Sequence, residues 1–235
     1  MAIEKRTVKI LGILATIWGT GSKKVYIYLH GQGGNKEEAS LLASIVCAQG
    51  WQVVSFDLPQ HGERTQEEVS FVPWHIIPEL HHILRYVKQH WTVHALFANS
   101  IGAWFSMLSF ANEKFSHGLF VSPILDMKYL MSNLMQQADV TEKRLQQEQH
   151  ITTSFGQSFS WEYWTFIVNH PIIQWKTPTF ILYAKHDPMM SLAIVKNFSK
   201  KFHCDLHIIE NAEHWFHTPE QIEKLRRWIT MAHPR

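Results

Sequence analysis

Short runs of β-branched and aromatic residues alternate with helix-like segments along most of this chain, and that alternation restricts the fold more than any other feature. The predicted strands cover residues 25–29, 52–56, 93–97, 118–121, 179–183 and 206–209. The predicted helices cover roughly residues 36–49, 76–89, 101–111, 192–202 and 219–231. Strands that alternate with helices in this way build a mostly parallel, twisted sheet with helices on both faces.

Two earlier runs, residues 8–11 and 13–18, are separated by Gly12 and predict an antiparallel pair at the start of the sheet. The chain is therefore expected to form an α/β fold with about eight strands. Residues 125–175 interrupt the alternation with a polar helix-like run, a Ser/Thr/Gly-containing stretch and an aromatic cluster. This interruption predicts a helical cap over 125–175, inserted into a main domain formed by residues 1–124 and 176–235.

Composition excludes several classes of protein. The 22 basic and 20 acidic side chains are spread along the 235 residues, so nothing favours a nucleic-acid partner. No secretory signal is expected, and no apolar segment approaches the ~18 residues that span a bilayer. Cys47 and Cys204 lack metal-ligand spacing, which favours reduced packing residues in a cytoplasmic protein. The 16 histidines include no HExxH pattern, so neither a metal nor another cofactor is predicted.

Residues 97–103 join a predicted strand to a predicted helix through a serine between small residues. Ala98 and Gly102 stand two positions before and two positions after Ser100. Only small residues fit there in the sharp turn called a nucleophile elbow, which lifts the serine hydroxyl clear of the sheet. A serine before a helix is also a common N-cap, so the motif taken alone leaves both roles open.

A serine nucleophile needs a general base, and the base needs an acid to orient it. Asp187 follows the next-to-last predicted strand and His214 follows the last one. Because the carboxyl ends of parallel strands meet at one edge of a sheet, we expect both residues beside Ser100. The chain order Ser, Asp, His is the order found in α/β hydrolases.

These motifs together resemble the α/β-hydrolase family over nearly the whole chain. Residues 30–34, His-Gly-Gln-Gly-Gly, resemble the family's His-Gly oxyanion loop, and residues 57–62 resemble its Asp-x-Pro-x-His-Gly turn. The elbow matches except that Ala98 replaces the usual first glycine, as in some lipases. The resemblance implies a serine esterase or lipase-like enzyme with a small cap, in which Asp57 and His61 are structural and Asp126 is an alternative acid.

The glycine-rich loop also follows a strand, as phosphate-binding loops do, but it lacks the spacing of a dinucleotide fingerprint and of a GxxxxGK[ST] loop. Its predicted use is to expose backbone N–H groups to a developing oxyanion. The expected donors are the N–H groups of Gln32 and Ile101.

The expected activity is cleavage of an acyl ester through an acyl-enzyme intermediate. A thioesterase or a peptidase-type amide hydrolase would use the same residues, and a ligand-binding module on this fold is the non-enzymatic alternative. The expected partner is a small apolar acyl substrate, and the chain is compatible with a monomer or a homodimer. The predicted cap supplies three candidate pocket residues, Met131, Met135 and Trp164.

Overall fold

The computed structural model describes residues 3–153, 156 and 158–233. Its strands are β1 (Lys5–Ile10), β2 (Ile13–Trp18), β3 (Lys24–Leu29), β4 (Gln52–Phe56), β5 (Val93–Asn99), β6 (Gly118–Val121), β7 (His150–Thr152), β8 (Ser158–Ser160), β9 (Thr179–Ala184) and β10 (Asp205–Ile209). Its α-helices are α1 (Ala39–Val46), α2 (Pro73–His90), α3 (Ile101–Phe110), α4 (Met127–Gln137), α5 (Glu142–Glu148), α6 (Trp161–Asn169), α7 (Leu192–Phe202) and α8 (Pro219–Ala232).

Eight of the strands form one sheet in the order β1-β2-β4-β3-β5-β6-β9-β10. β2 is antiparallel to both β1 and β4, whereas the other neighbouring pairs are parallel. The predicted α/β fold, with a mostly parallel sheet of eight strands, is confirmed. The carboxyl ends of β3, β5, β6, β9 and β10 therefore meet along one edge, where the predicted site residues follow.

Both faces of the sheet are covered by helices, and β5 illustrates how the sequence achieves this. Ala95 and Phe97 belong to the apolar cluster under α1 and α8, whereas Leu96 and Ala98 belong to the cluster under α2 and α3. All four are 3% exposed or less. Successive side chains of a strand point to opposite faces, so a strand buried on both sides must be apolar without interruption.

Two predicted helices differ from the observed ones. The segment predicted as one helix over 36–49 is α1 with a short 3-10 turn at each end, Lys36–Glu38 and Cys47–Gln49. α2 begins at Pro73, earlier than predicted, because a proline in the first turn needs no N–H partner and has a helical φ.

The connection between β6 and β9 contains α4, α5, the β7–β8 hairpin and α6. α4 packs against α6, and Leu145, Ile151 and Phe159 are buried in the same apolar cluster as α2 and α3. Of the predicted cap, Ser154, Phe155 and Gln157 lie outside the described residues. In the described part of the chain, no helix combines the length and the apolar character needed to cross a membrane.

Candidate active site

Ser100 occupies a strained turn between β5, which ends at Asn99, and α3, which begins at Ile101. Its φ of 50° and ψ of −121° are unusual for a residue with a side chain and carry a conformational cost. Hydrogen bonds hold the turn in place: the Ser100 N–H donates to Val121 O at 3.0 Å, and its carbonyl accepts from the Ile124 N–H at 3.1 Å. The end of β6 therefore fixes the serine in this conformation.

Close backbone approach explains the small residues around the serine. A Cβ on Gly102 would lie 2.6 Å from His30 O and 2.9 Å from Leu29 O, so no side chain fits at that position. A Cβ on Gly31 would lie 3.2 Å from the Cβ of Ser100. The glycine-rich loop and the serine turn are thus in direct contact.

A continuous hydrogen-bonded chain joins three of the predicted residues. His214 Nε2 lies 2.8 Å from Ser100 Oγ, and His214 Nδ1 lies 2.7 Å from Asp187 Oδ2. The other carboxylate oxygen of Asp187 accepts the Met189 N–H at 2.7 Å. The acceptor Oδ2 requires a proton on Nδ1, which leaves Nε2 of a neutral imidazole free to accept the serine proton.

Access differs among these three side chains. Asp187 and His214 are buried, whereas Ser100 is partly exposed in the wall of a cavity. The carboxylate is therefore shielded from water, while the hydroxyl can be reached by a small molecule.

Asp126, the alternative acid, has another role in this structure. It is exposed and caps α4, because its Oδ1 accepts the N–H of Tyr129 at 2.9 Å. The carboxylate that contacts His214 is that of Asp187.

Gln32 and Ile101 both line the cavity that contains Ser100. Ile101 is the first residue of α3, where backbone N–H groups have no partner within the helix. Gln32 lies in the loop after β3, whose contact with the serine turn is described above. A helix N-terminus and a glycine-rich loop on two sides of one hydroxyl suit a negatively charged oxygen.

His30 ties this loop to the end of β4, a role that sequence reasoning did not identify. Its Nδ1–H donates to Gly31 O at 2.7 Å, and its Nε2 accepts the N–H of Leu58 at 2.9 Å. A ring that accepts through Nε2 must be neutral. Burial lowers the pKa of His30 to about 4, in agreement with that neutral form.

Asp57 and His61 make structural contacts. Asp57 accepts from the Lys36 N–H at 2.7 Å and from Lys36 Nζ at 2.8 Å. Burial acts to raise the pKa of Asp57, but its hydrogen bonds and the Lys36 ammonium outweigh that effect and lower it. The His61 ring lies against the rings of His30 and Phe71, with centroid distances of 5.1 and 4.5 Å.

The cavity around Ser100 has a volume of about 670 Å³. Its wall combines the glycine-rich loop and the serine turn with mostly apolar side chains: Gly31, Gln32, Gly33, Gly34, Glu38, Asn99, Ser100, Ile101, Val121, Ile124, Leu130, Met189, His214, Trp215, Phe216 and Leu225. Sequence reasoning missed Glu38, Asn99, Met189, Trp215 and Phe216 as wall residues, because no motif marks them.

The structure does not bring the three candidate pocket residues to this cavity. Met131, Met135 and Trp164 are 4–6% exposed and pack in the main apolar cluster. Met135 and Trp164 line a different surface cavity, beside Asp139. On α4 the residue in the wall is Leu130, whose side chain points about 100° away from that of its neighbour Met131 around the helix axis.

Known proteins share this architecture. A family model described as the alpha/beta hydrolase fold matches residues 95–220. Est1E from Butyrivibrio proteoclasticus, solved with ferulic acid, has a TM-score of 0.74 at 14% identity, covering 97% of each chain. Mouse alpha/beta hydrolase domain-containing protein 10 has a TM-score of 0.75 at 12% identity, covering 99% of this chain and 98% of that chain.

A third similar structure is the thioesterase domain from the curacin biosynthetic pathway. Its TM-score is 0.64 at 16% identity, and the match covers 97% of this chain and 99% of that chain. A comparison with curated proteins found no match. At such low identities, the similarity to solved structures establishes the fold.

Proposed function

The chain belongs to the α/β-hydrolase family, and from that premise we propose that it is a serine hydrolase that cleaves acyl esters. The observation that carries the proposal is the hydrogen-bonded chain from Ser100 through His214 to Asp187, with the serine in the wall of a cavity. A cavity of about 670 Å³ suits a small molecule.

In the first half of the proposed reaction, Ser100 Oγ attacks the carbonyl carbon of the ester while its proton passes to His214 Nε2. Asp187 holds the imidazole in the required tautomer and stabilises the imidazolium that forms. The negative charge on the carbonyl oxygen is stabilised by the N–H groups of Gln32 and Ile101, and each such donor contributes ~3 kcal/mol to the transition state.

The tetrahedral intermediate then collapses. The bond between carbon and the alcohol oxygen breaks, His214 returns its proton to that oxygen, and the acyl group remains on Ser100. In the second half, His214 takes a proton from water and the resulting hydroxide attacks the acyl carbon. The bond between that carbon and Ser100 Oγ then breaks, His214 returns the proton to Oγ, and the acid is released.

The cavity wall supports an apolar substrate. Ile124, Leu130, Met189, Trp215 and Phe216 contribute hydrocarbon and aromatic surface beside the serine. Leu130 belongs to α4, so the connection between β6 and β9 takes part in the wall. This participation supports the proposal that residues 125–175 act as a cap that shapes the substrate site.

Covalent labelling with a fluorophosphonate tests the serine mechanism. The reagent is expected to add to Ser100, as mapped by mass spectrometry, and Ser100→Ala should not be labelled. The matched control is Ser40→Ala, because Ser40 is exposed on α1 and does not line the cavity. Absence of labelling in a folded wild-type protein would favour a ligand-binding module.

A substrate panel tests the bond type. We expect p-nitrophenyl esters of short and medium acyl chains to be hydrolysed faster than acyl-CoA thioesters or aminoacyl arylamides. Faster hydrolysis of the thioesters or the arylamides would be consistent with the same serine mechanism but would contradict the proposal that the substrate is an ester.

A further inference from the structure

Glu38 gives the Ser100 cavity a charged wall that the proposed ester chemistry does not use. It lies at the end of the 3-10 turn Lys36–Glu38. Among the described residues that line the cavity, it is the only Asp, Glu, Lys or Arg. Glu38 is exposed, so its carboxylate is accessible to a ligand in the cavity.

The position of this carboxylate is defined by its neighbours. A Cβ on Gly34 would lie 2.8 Å from Glu38 Oε1 and 2.9 Å from Oε2, so the carboxylate rests against the glycine-rich loop. The buried Tyr28 hydroxyl donates to Glu38 Oε2 at 3.4 Å and accepts from Asn99 Nδ2 at 2.9 Å. Asn99 therefore orients the phenol O–H towards the carboxylate.

The negative charge of Glu38 has no cationic partner among the described residues within ion-pair distance. Its neighbour Glu37, by contrast, pairs with Lys5 at 3.0 Å. Loss of hydration raises the pKa of Glu38, although hydrogen bonds from the Asn35 backbone and from Tyr28 act in the opposite direction. A positive charge nearby would stabilise the ionised form.

The cavity wall draws on the apolar clusters of both faces of the sheet, and Glu38 adds a charge beside one of them. Leu225 lies in the apolar cluster under α1 and α8, and Phe216 packs against that cluster. Glu38 lies directly before α1. Ile124 lies in the other cluster, under α2 and α3, and Leu130 and Met189 pack against it. A substrate whose scissile carbonyl sits at Ser100 thus presents one part to each side.

We propose that Glu38 selects substrates with a cationic ammonium group on the part that faces α1 and α8, opposite an apolar part that faces Leu130 and Met189. This inference rests on the proposed ester hydrolysis and specifies its substrate class. The carboxylate acts as a specificity-determining group through charge attraction, and it takes no part in bond cleavage.

Two pairs of esters, matched in shape, test the inference and identify the side of the ester that carries the charge. In the first pair, butyrylcholine is compared with the ester in which carbon replaces the ammonium nitrogen. In the second pair, phenyl trimethylammoniobutanoate is compared with its carbon isostere. We expect the cationic member of one pair to have a kcat/KM about two- to fivefold higher, because an ion pair with an exposed carboxylate is screened by water.

Substitutions that change the charge at position 38 test whether Glu38 causes the preference for the cationic ester. Glu38→Gln should remove the preference and Glu38→Lys should reverse it, whereas the control Glu37→Gln should leave it unchanged. The measured quantity is the ratio of the two kcat/KM values within a pair. A loss of activity that affects both esters equally does not change this ratio. Circular dichroism checks that each variant is folded.

Calorimetric binding to Ser100→Ala gives a readout that does not depend on hydrolysis. The cationic esters should bind more tightly than their isosteres, and a second substitution, Glu38→Gln, should abolish the difference. Equal kcat/KM and equal affinity within both pairs would overturn the inference, as would a preference that survives Glu38→Gln. If the wild type cleaves no ester, the proposed function fails while the binding result still decides the inference.

Discussion

Two buried groups of side chains that include histidine lie at opposite ends of the strands, and they differ in what the imidazole rings contact. At the carboxyl ends of the strands, His214 contacts the Asp187 carboxylate and the Ser100 hydroxyl. At the amino ends, His117 and His233 share the hydroxyl of Tyr26, and that hydroxyl lies 2.6 Å from His233 Nδ1. Burial lowers the pKa values of His117 and His233 to about 4.

The difference indicates what a buried histidine needs for acid–base chemistry. A carboxylate on one ring nitrogen stabilises the cation, and a hydroxyl in a cavity on the other nitrogen supplies the proton. The amino-end cluster has a phenol instead of a carboxylate, and its ring nitrogens are shielded from solvent. It holds β3, the segment before β6 and the end of α8 together.

Replacing Ser100 with alanine should have the largest effect on activity. The change removes the nucleophile, so kcat should fall by about six orders of magnitude. The free energy of unfolding should change little, because the turn is held by backbone hydrogen bonds. Ester hydrolysis and urea denaturation measure the two quantities, and substantial remaining activity would contradict the proposed mechanism.

Asp187→Asn should lower kcat by about four orders of magnitude, because an amide can favour the wrong imidazole tautomer and does not stabilise the imidazolium. The substitution makes the His214 environment resemble the carboxylate-free cluster at the other end of the sheet. Asp126→Asn is the matched control and should have little effect on kcat. A larger loss in that control would assign the acid role to Asp126.

Acid should destabilise the protein through the amino-end cluster. The pKa of His117 is about 4 in the folded protein and 6.5 ordinarily, so the unfolded chain binds more protons between these pH values. Stability present above pH 6.5 is therefore lost as the pH falls towards 4, by about 3 kcal/mol for this residue. His30 and His233 titrate in the same window.

Urea denaturation at several pH values between 7 and 4 measures this loss. His117→Gln should have a shallower pH dependence than the wild type, because it lacks one of the three titrating groups. An unchanged slope would mean that this cluster is not the source of the acid sensitivity.

Tyr26→Phe should have the smallest of these effects. It leaves two buried ring nitrogens without their hydroxyl partner, which costs about 1–3 kcal/mol of unfolding free energy. Ester hydrolysis per folded molecule should not change. Tyr86→Phe is the control, because the Tyr86 hydroxyl makes no hydrogen bond within the described part of the chain, and an equal loss there would remove the special role of Tyr26.

Local patterns in the sequence were sufficient to predict the sheet. Strands such as 93–99 are buried on both faces, so their apolar runs are uninterrupted and easy to recognise. The β7–β8 hairpin is not predicted, because its strands have only three residues each. The segment is also rich in Ser and Thr, which are typical of loops. Helix 36–49 was predicted as continuous because its breaks are set by tertiary contacts, such as the bond from Lys36 to Asp57.

Some residues of the site can be predicted from local sequence patterns, whereas others depend on how distant elements pack together. Ser100, Asp187 and His214 each follow a strand, so placing the strands was enough to expect them at one edge of the sheet. The wall of the cavity depends on the orientation of α4, which no local pattern specifies. Leu130 and Met131 are adjacent apolar residues, and only the packed structure determines which one faces the serine.

The long connection between β6 and β9 has a consequence for how related enzymes can diverge. β6 and β9 are neighbours in the sheet, paired from Gly118 with Thr179 to Val121 with Leu182. The chain between them can lengthen, shorten or be exchanged while the pairing on either side is preserved. The part of the cavity wall that this connection supplies, Ile124 and Leu130, can thus change while the sheet positions of Ser100, Asp187 and His214 are preserved.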